Sequence, residues 1–92
     1  MFHVRWQPSA EQELALLWTL ADERNRVTVA ARRLEKKLKE DPLNAGESRW
    51  AGVRIVFESP LAVDFHVSET HRIVSVLHVR WYDTGDADNG DD

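Results

Sequence analysis

Apolar and polar side chains alternate at the start of the chain: Phe2, Val4 and Trp6, with His3 and Arg5 between them. This period of two predicts a short strand. The period changes at Gln7-Pro8-Ser9, where Pro8 suits a helix entry and Ser9 with Gln12 forms a capping box. From Ala10 on, Leu14, Leu17, Trp18 and Ala21 recur at helical spacing. Glu11 and Glu13 lie in the first turns, where the helix dipole favours negative charge. A first helix is predicted to end near Asp22 to Arg24, with Trp6 and Trp18 in the core. Asn25 is placed to cap a second helix, in which Val27, Ala31, Leu34 and Leu38 share one face. Lys36, Lys37 and Lys39 favour its C-terminal end, and Asp41-Pro42 stops it. Two helices joined this closely fold back as a hairpin, and their apolar faces need a third surface to cover.

Leu43 to Gly52 shows no sustained period and reads as a loop that contains Trp50. Beyond it Val53, Ile55 and Phe57 alternate with Arg54, Val56 and Glu58. After Ser59-Pro60, Leu61, Val63, Phe65 and Val67 alternate with Ala62, Asp64 and His66. Ser68-Glu69-Thr70 then leads into a β-branched run from Ile73 to Tyr82. Tight turns between these runs predict a three-stranded antiparallel meander. The first strand is expected to join its edge. The fold class read from the pattern is α+β, in the order β-α-α-β-β-β: a helical hairpin on one face of a four-stranded, mainly antiparallel sheet.

Length and charge refine this picture. Ninety-two residues suit one small domain, expected to span residues 1–82. The net charge of −4 comes from the end of the chain, since residues 83–92 carry five Asp and no basic residue. The remaining 82 residues carry 12 basic against 11 acidic side chains. Rich in Asp, Gly and Asn, the tail is expected to be disordered. It reads either as a solubilising end or as a phosphate mimic that competes for a basic surface. The absence of Cys excludes disulfide scaffolds, cysteine zinc sites and thiol nucleophiles. No apolar run approaches the ~18 residues of a membrane span, and the N-terminus lacks a signal-peptide pattern, so a cytoplasmic location without membrane partners is expected.

With the odd positions of the meander against the helices, the other face would hold Arg54, Glu58, Asp64, His66, His78, Arg80 and Tyr82, with Val74 and Val76 between them. Imidazole, guanidinium and phenol on one face can bind a phosphodiester and move its protons. The same groups also fit a wetted sheet face, with Arg54 and Asp64 as a cross-strand ion pair. No metal-ligand spacing accompanies His66 or His78, so no metal is expected. Arg32, Lys36 and Lys39 form a basic stripe on the second helix, either a solvated face or a contact for nucleic acid or an acidic peptide.

Three runs carry a family resemblance: Val4-Arg5-Trp6; Ala10-Glu11-Gln12-Glu13-Leu14 through Trp18; and Ala21-Asp22-Glu23-Arg24-Asn25. In this order, followed by Leu38 to Gly46 and the closing meander, the chain resembles the RelE/ParE toxins over residues 2 to about 82. The resemblance implies a toxin of a bacterial type II toxin–antitoxin system, with a cognate antitoxin as partner and no cofactor. RelE-like members cleave mRNA on the ribosome, whereas ParE-like members inhibit DNA gyrase without nuclease residues. On the nuclease branch, the resemblance implies Arg54 and Arg80 as phosphate contacts and Tyr82 as a stacking or proton-donating aromatic. His78 or Glu58 would then be the base, and Arg32, Lys36, Lys39 and Arg49 contacts to RNA or a partner. The chain departs from that branch in a loop without lysines, in Leu61 where some members have arginine, and in a near-neutral body. Gyrase inhibition, or a member without toxic activity, is the alternative.

Overall fold

The structure, a computed structural model, describes residues 1–82. Its elements are β1 (His3–Trp6), α1 (Pro8–Leu20), α2 (Arg24–Glu40), β2 (Glu47–Trp50), β3 (Val53–Glu58), β4 (Leu61–Ser68) and β5 (Ile73–Trp81). The strands form one sheet in the order β1-β5-β4-β3-β2, in which β1 runs parallel to β5 and the other neighbours are antiparallel. The acidic segment 83–92 lies outside the described residues.

The sheet has five strands rather than the predicted four. The additional one is β2, inside the stretch read as a loop. Its four residues are all exposed, so it lacks the half-buried alternation that marks a strand. It pairs with β3 through a turn at Ala51 and Gly52, both with positive φ, the geometry favoured in two-residue hairpins.

The helix ends also differ from the reading. Gln7 is the N-cap of α1, with Pro8 in the first turn and no side-chain cap. Ser9 instead donates its hydroxyl to the Leu77 carbonyl across the sheet edge (3.3 Å). Helix α1 stops at Leu20, and α2 begins at Arg24 rather than after Asn25. Trp6 is only half-buried and Trp18 is exposed, its indole N–H donating to the Thr28 hydroxyl. The helix side of the core is carried by α2, through Val27, Ala30, Leu34 and Leu38.

Strand β4 runs through the middle of the sheet and sends Leu61, Val63 and Phe65 into the core as predicted, all fully buried. Its neighbours invert the predicted faces. Glu58 pairs with Leu61, Val56 with Val63 and Arg54 with Phe65, so the even positions of β3 share the helix side. Val74 pairs with Val67 and Val76 with Phe65, which puts these two valines in the core rather than on the open face. A bulge at Leu77 then shifts the register, so that Val79 joins Val63 in the core and Arg80 falls beside Ala62 on the other face.

Candidate functional site

The two helices cover one face of the sheet. On the other, Phe57, Ala62 and Arg80 lie in one row across β3, β4 and β5, with Tyr82 just past the end of β5. The chain holds Tyr82 there through its backbone N–H, which donates to the Pro60 carbonyl (2.6 Å). The Phe57 and Tyr82 rings meet at 4.9 Å between centroids, tilted by 44°. Both are about half exposed.

Arg80 reaches back over Asp64. Nη1 donates to Oδ2 at 2.8 Å and Nη2 to Oδ1 at 3.3 Å, a two-point pair in which the Asp64 side chain is 8% exposed and that of Arg80 49%. The hydrogen bonds to Asp64, and secondarily its charge, hold the guanidinium pKa above the ordinary arginine value, against the opposing effect of burial. The ion pair of Asp64 is therefore with Arg80 and not with Arg54; in the register Asp64 stands opposite Ile55. A four-donor fork of two Nη groups is rigid enough to present its remaining N–H groups in fixed directions.

The other predicted site residues lie elsewhere. Arg54 is on the helix side, where Nε and Nη2 donate to the carbonyls of Ala45 (3.3 Å) and Gly46 (3.1 Å) and clamp the entry to β2. Glu58, also on that side, is mostly covered and accepts from Lys37 Nζ at 2.7 Å. His78 sits at the edge of β5, its Nδ1 3.3 Å from Glu13 Oε2 of α1. Arg32, Lys36 and Lys39 are exposed on α2, across the sheet from Arg80, with Lys39 3.9 Å from Glu35. Arg49 lies over the exposed Trp50 ring at 5.5 Å. Thus Arg80 and Tyr82 share a face and His78 flanks it, while Arg54 and Glu58 are separated from them by the sheet.

Two residues of this face escaped the sequence reading. Phe57 had the period of a core residue, and Asp64 had been given to Arg54. The available signal for Asp64 was a carboxylate between Val63 and Phe65, at a position that needs a cationic partner if it is to be buried. Among the described residues no three His, Asp or Glu side chains stand together in a way that could hold a metal ion, and no helix is long and apolar enough to cross a membrane.

No protein-family model matches the sequence, and no curated protein matches it either. Solved structures do match the fold. The RelBE2 toxin–antitoxin complex of Mycobacterium tuberculosis superposes with a TM-score of 0.74 at 18% identity, over 87% of this chain and 90% of that one. A chromosomal ParDE system of P. aeruginosa gives 0.68 at 18% identity, over 90% and 98%. The isolated RelE toxin of E. coli gives 0.64 at 14% identity, over 99% and 95%. These likenesses cover nearly the whole of both partners at low identity, and so they speak to architecture. The chain has the fold of the RelE/ParE toxins.

Proposed function

We propose that this chain is the toxin component of a type II toxin–antitoxin pair, neutralised by a cognate antitoxin, and that it arrests translation by cleaving ribosome-bound mRNA. Full-length likeness to chains solved as toxins and toxin–antitoxin complexes supports the first part. The observation that carries the second is the oriented, half-exposed Arg80 guanidinium on the same face as the Tyr82 phenol.

In the proposed reaction the 2′-hydroxyl of a nucleotide attacks its own 3′-phosphate. A new P–O2′ bond forms, the P–O5′ bond breaks, and the products are a cyclic phosphate and a 5′-hydroxyl. The 2′-proton leaves to a base and the 5′-oxygen gains one. Arg80 stabilises the charge that builds on the phosphorane oxygens. His78 is the base: Glu13 at Nδ1 favours the tautomer that leaves the Nε2 lone pair free to accept. Tyr82 stacks on a base or donates to the leaving oxygen. Arg54 and Glu58, on the far side of the sheet, serve the fold in this reading.

The separation of Arg54 and Glu58 from Arg80 favours a second reading, in which the chain disables DNA gyrase by binding, through the helical hairpin with its exposed Arg32, Lys36 and Lys39. In-vitro translation with toeprinting, run beside a gyrase supercoiling assay, separates the two. New ribosome-dependent 5′ ends support cleavage; loss of supercoiling without such ends overturns it.

A further inference from the structure

The face left uncovered by the helices contains a buried carboxylate. Asp64 points away from the core, yet Arg80 folds over it and shields it from water. Burying a carboxylate is costly unless it is paired, and an apolar pair of similar volume is often as stable. Stability alone therefore gives little reason for an ion pair here. What the pair supplies is direction: two donors of Arg80 are spent on Asp64, and the others are held toward solvent.

Beside this fork stand two rings. Phe57 and Arg80 flank the same residue, Ala62, one on each neighbouring strand, so their backbones are about 10 Å apart, two strand spacings. Tyr82, two residues beyond Arg80 on the chain, meets Phe57. Exposed aromatic rings beside an arginine are the elements by which sheets hold unpaired bases.

We infer that Phe57, Tyr82 and Arg80 form a single-nucleotide subsite for single-stranded RNA, the rings taking a base and the guanidinium a phosphate, with Asp64 as the residue that positions Arg80. The inference rests on the proposed function for its choice of RNA. It adds Phe57 as a base contact and gives Asp64 a role through Arg80. Because the Arg80–Asp64 pair is neutral overall, it contributes oriented donors more than long-range attraction.

The test is binding of a labelled eight-nucleotide oligouridylate to the full chain, followed by anisotropy over a range of salt, with Tm measured for each variant. Phe57→Leu, Arg80→Lys and Asp64→Asn are each expected to weaken binding about 5- to 20-fold. The Asp64→Asn result is diagnostic, since that change removes a negative charge and on charge alone would tighten binding. Its salt slope should stay that of the wild type, because no phosphate contact is added. Tighter or unchanged binding by Asp64→Asn, no effect of Phe57→Leu, or no binding by the wild type overturns the subsite. Phe57→Leu alters an exposed ring and keeps the test valid if Asp64→Asn unfolds. Translation assays distinguish the two failures. Arrest by wild type, Phe57→Leu and Asp64→Asn alike removes the subsite and leaves the proposed function. Weakened oligonucleotide binding by the variants, with a wild type that does not arrest translation, removes the proposed function and leaves the subsite.

Discussion

Glu13 on α1 closes the edge of β5 at Val79: its Oε1 accepts the Val79 backbone N–H at 2.8 Å. Strand β1 pairs with β5 only from Ile73 to Val76. Past that point α1 takes over, with the Gln7 N–H on the Val76 carbonyl, the Ser9 hydroxyl on the Leu77 carbonyl, and Glu13 on Val79. Truncation to Glu13→Ala leaves a part-buried donor unpaired and should cost about 1–3 kcal/mol. For a domain of this size that is a Tm loss of roughly 4–8 °C per kcal/mol. Glu13→Gln keeps an oxygen to accept the bond and should cost less than half as much. Urea titration of the two variants checks the difference.

Two glycines near the β2–β3 hairpin have positive φ but different surroundings. A Cβ on Gly46 (φ +71) would overlap the Ile55 carbonyl oxygen and come within 2.9 Å of the Val56 Cα, all backbone atoms. A Cβ on Gly52 (φ +82) would meet only the His66 ring, at 3.4 Å. Gly52→Ala should therefore cost about 1–2 kcal/mol, the ordinary cost of a left-handed alanine. Gly46→Ala adds a clash that only a backbone shift relieves and should cost roughly 3 kcal/mol or more. Equal midpoints in chemical denaturation would contradict the packing of Gly46 against β3.

A double-mutant cycle on Asp64 and Arg80, with each changed to Ala and then both, should give a coupling of about 1–3 kcal/mol. The cycle should not depend on pH through the neutral and mildly alkaline range. Asp64 raises the Arg80 pKa on folding. The stability linked to that shift is complete below the unfolded arginine's pKa and is lost only as pH rises through the still higher folded value. A contribution of Arg80 that declined between about pH 7 and 9 would place another titrating group in the pair.

Arg54→Ala removes two bonds to the carbonyls that open β2 and should lower stability by about 1–3 kcal/mol. Any loss of activity it causes should follow the unfolded fraction and be recovered at lower temperature or with stabilising solutes. Full folding with abolished cleavage would return Arg54 to the reaction.

Much of this architecture was legible because the apolar periods are long. The helical hairpin, the core of β4 and the meander all follow from residues such as Leu34, Leu38, Val63 and Phe65. The faces of β3 and β5 were not legible, and the reason is turn length. A two-residue turn at Ser59-Pro60 pairs Glu58 with Leu61, so even residues of β3 face the same way as odd residues of β4. Since Val53-Arg54-Ile55-Val56-Phe57 has apolar groups at both parities, its own pattern could not correct the assignment. Ser68 pairs with Ile73, which makes the same inversion at the start of β5, until the bulge at Leu77 reverses it. Arg80 and Tyr82 were thus placed on the open face for a reason that fails at Val74 and Val76. Strand β2, fully exposed, left no periodic trace at all.

The Leu77 bulge makes β5 a strand with two tenants. Before it, Val74 and Val76 are constrained by the core; after it, Arg80 and Tyr82 meet solvent, and only Val79 is still tied to the packing. Changes at Arg80 and Tyr82 can therefore redirect what the sheet binds without repacking the first half of the strand. In a fold shared by chains solved as RelE and as ParE toxins, this division allows chemistry to drift on a frame that stays put.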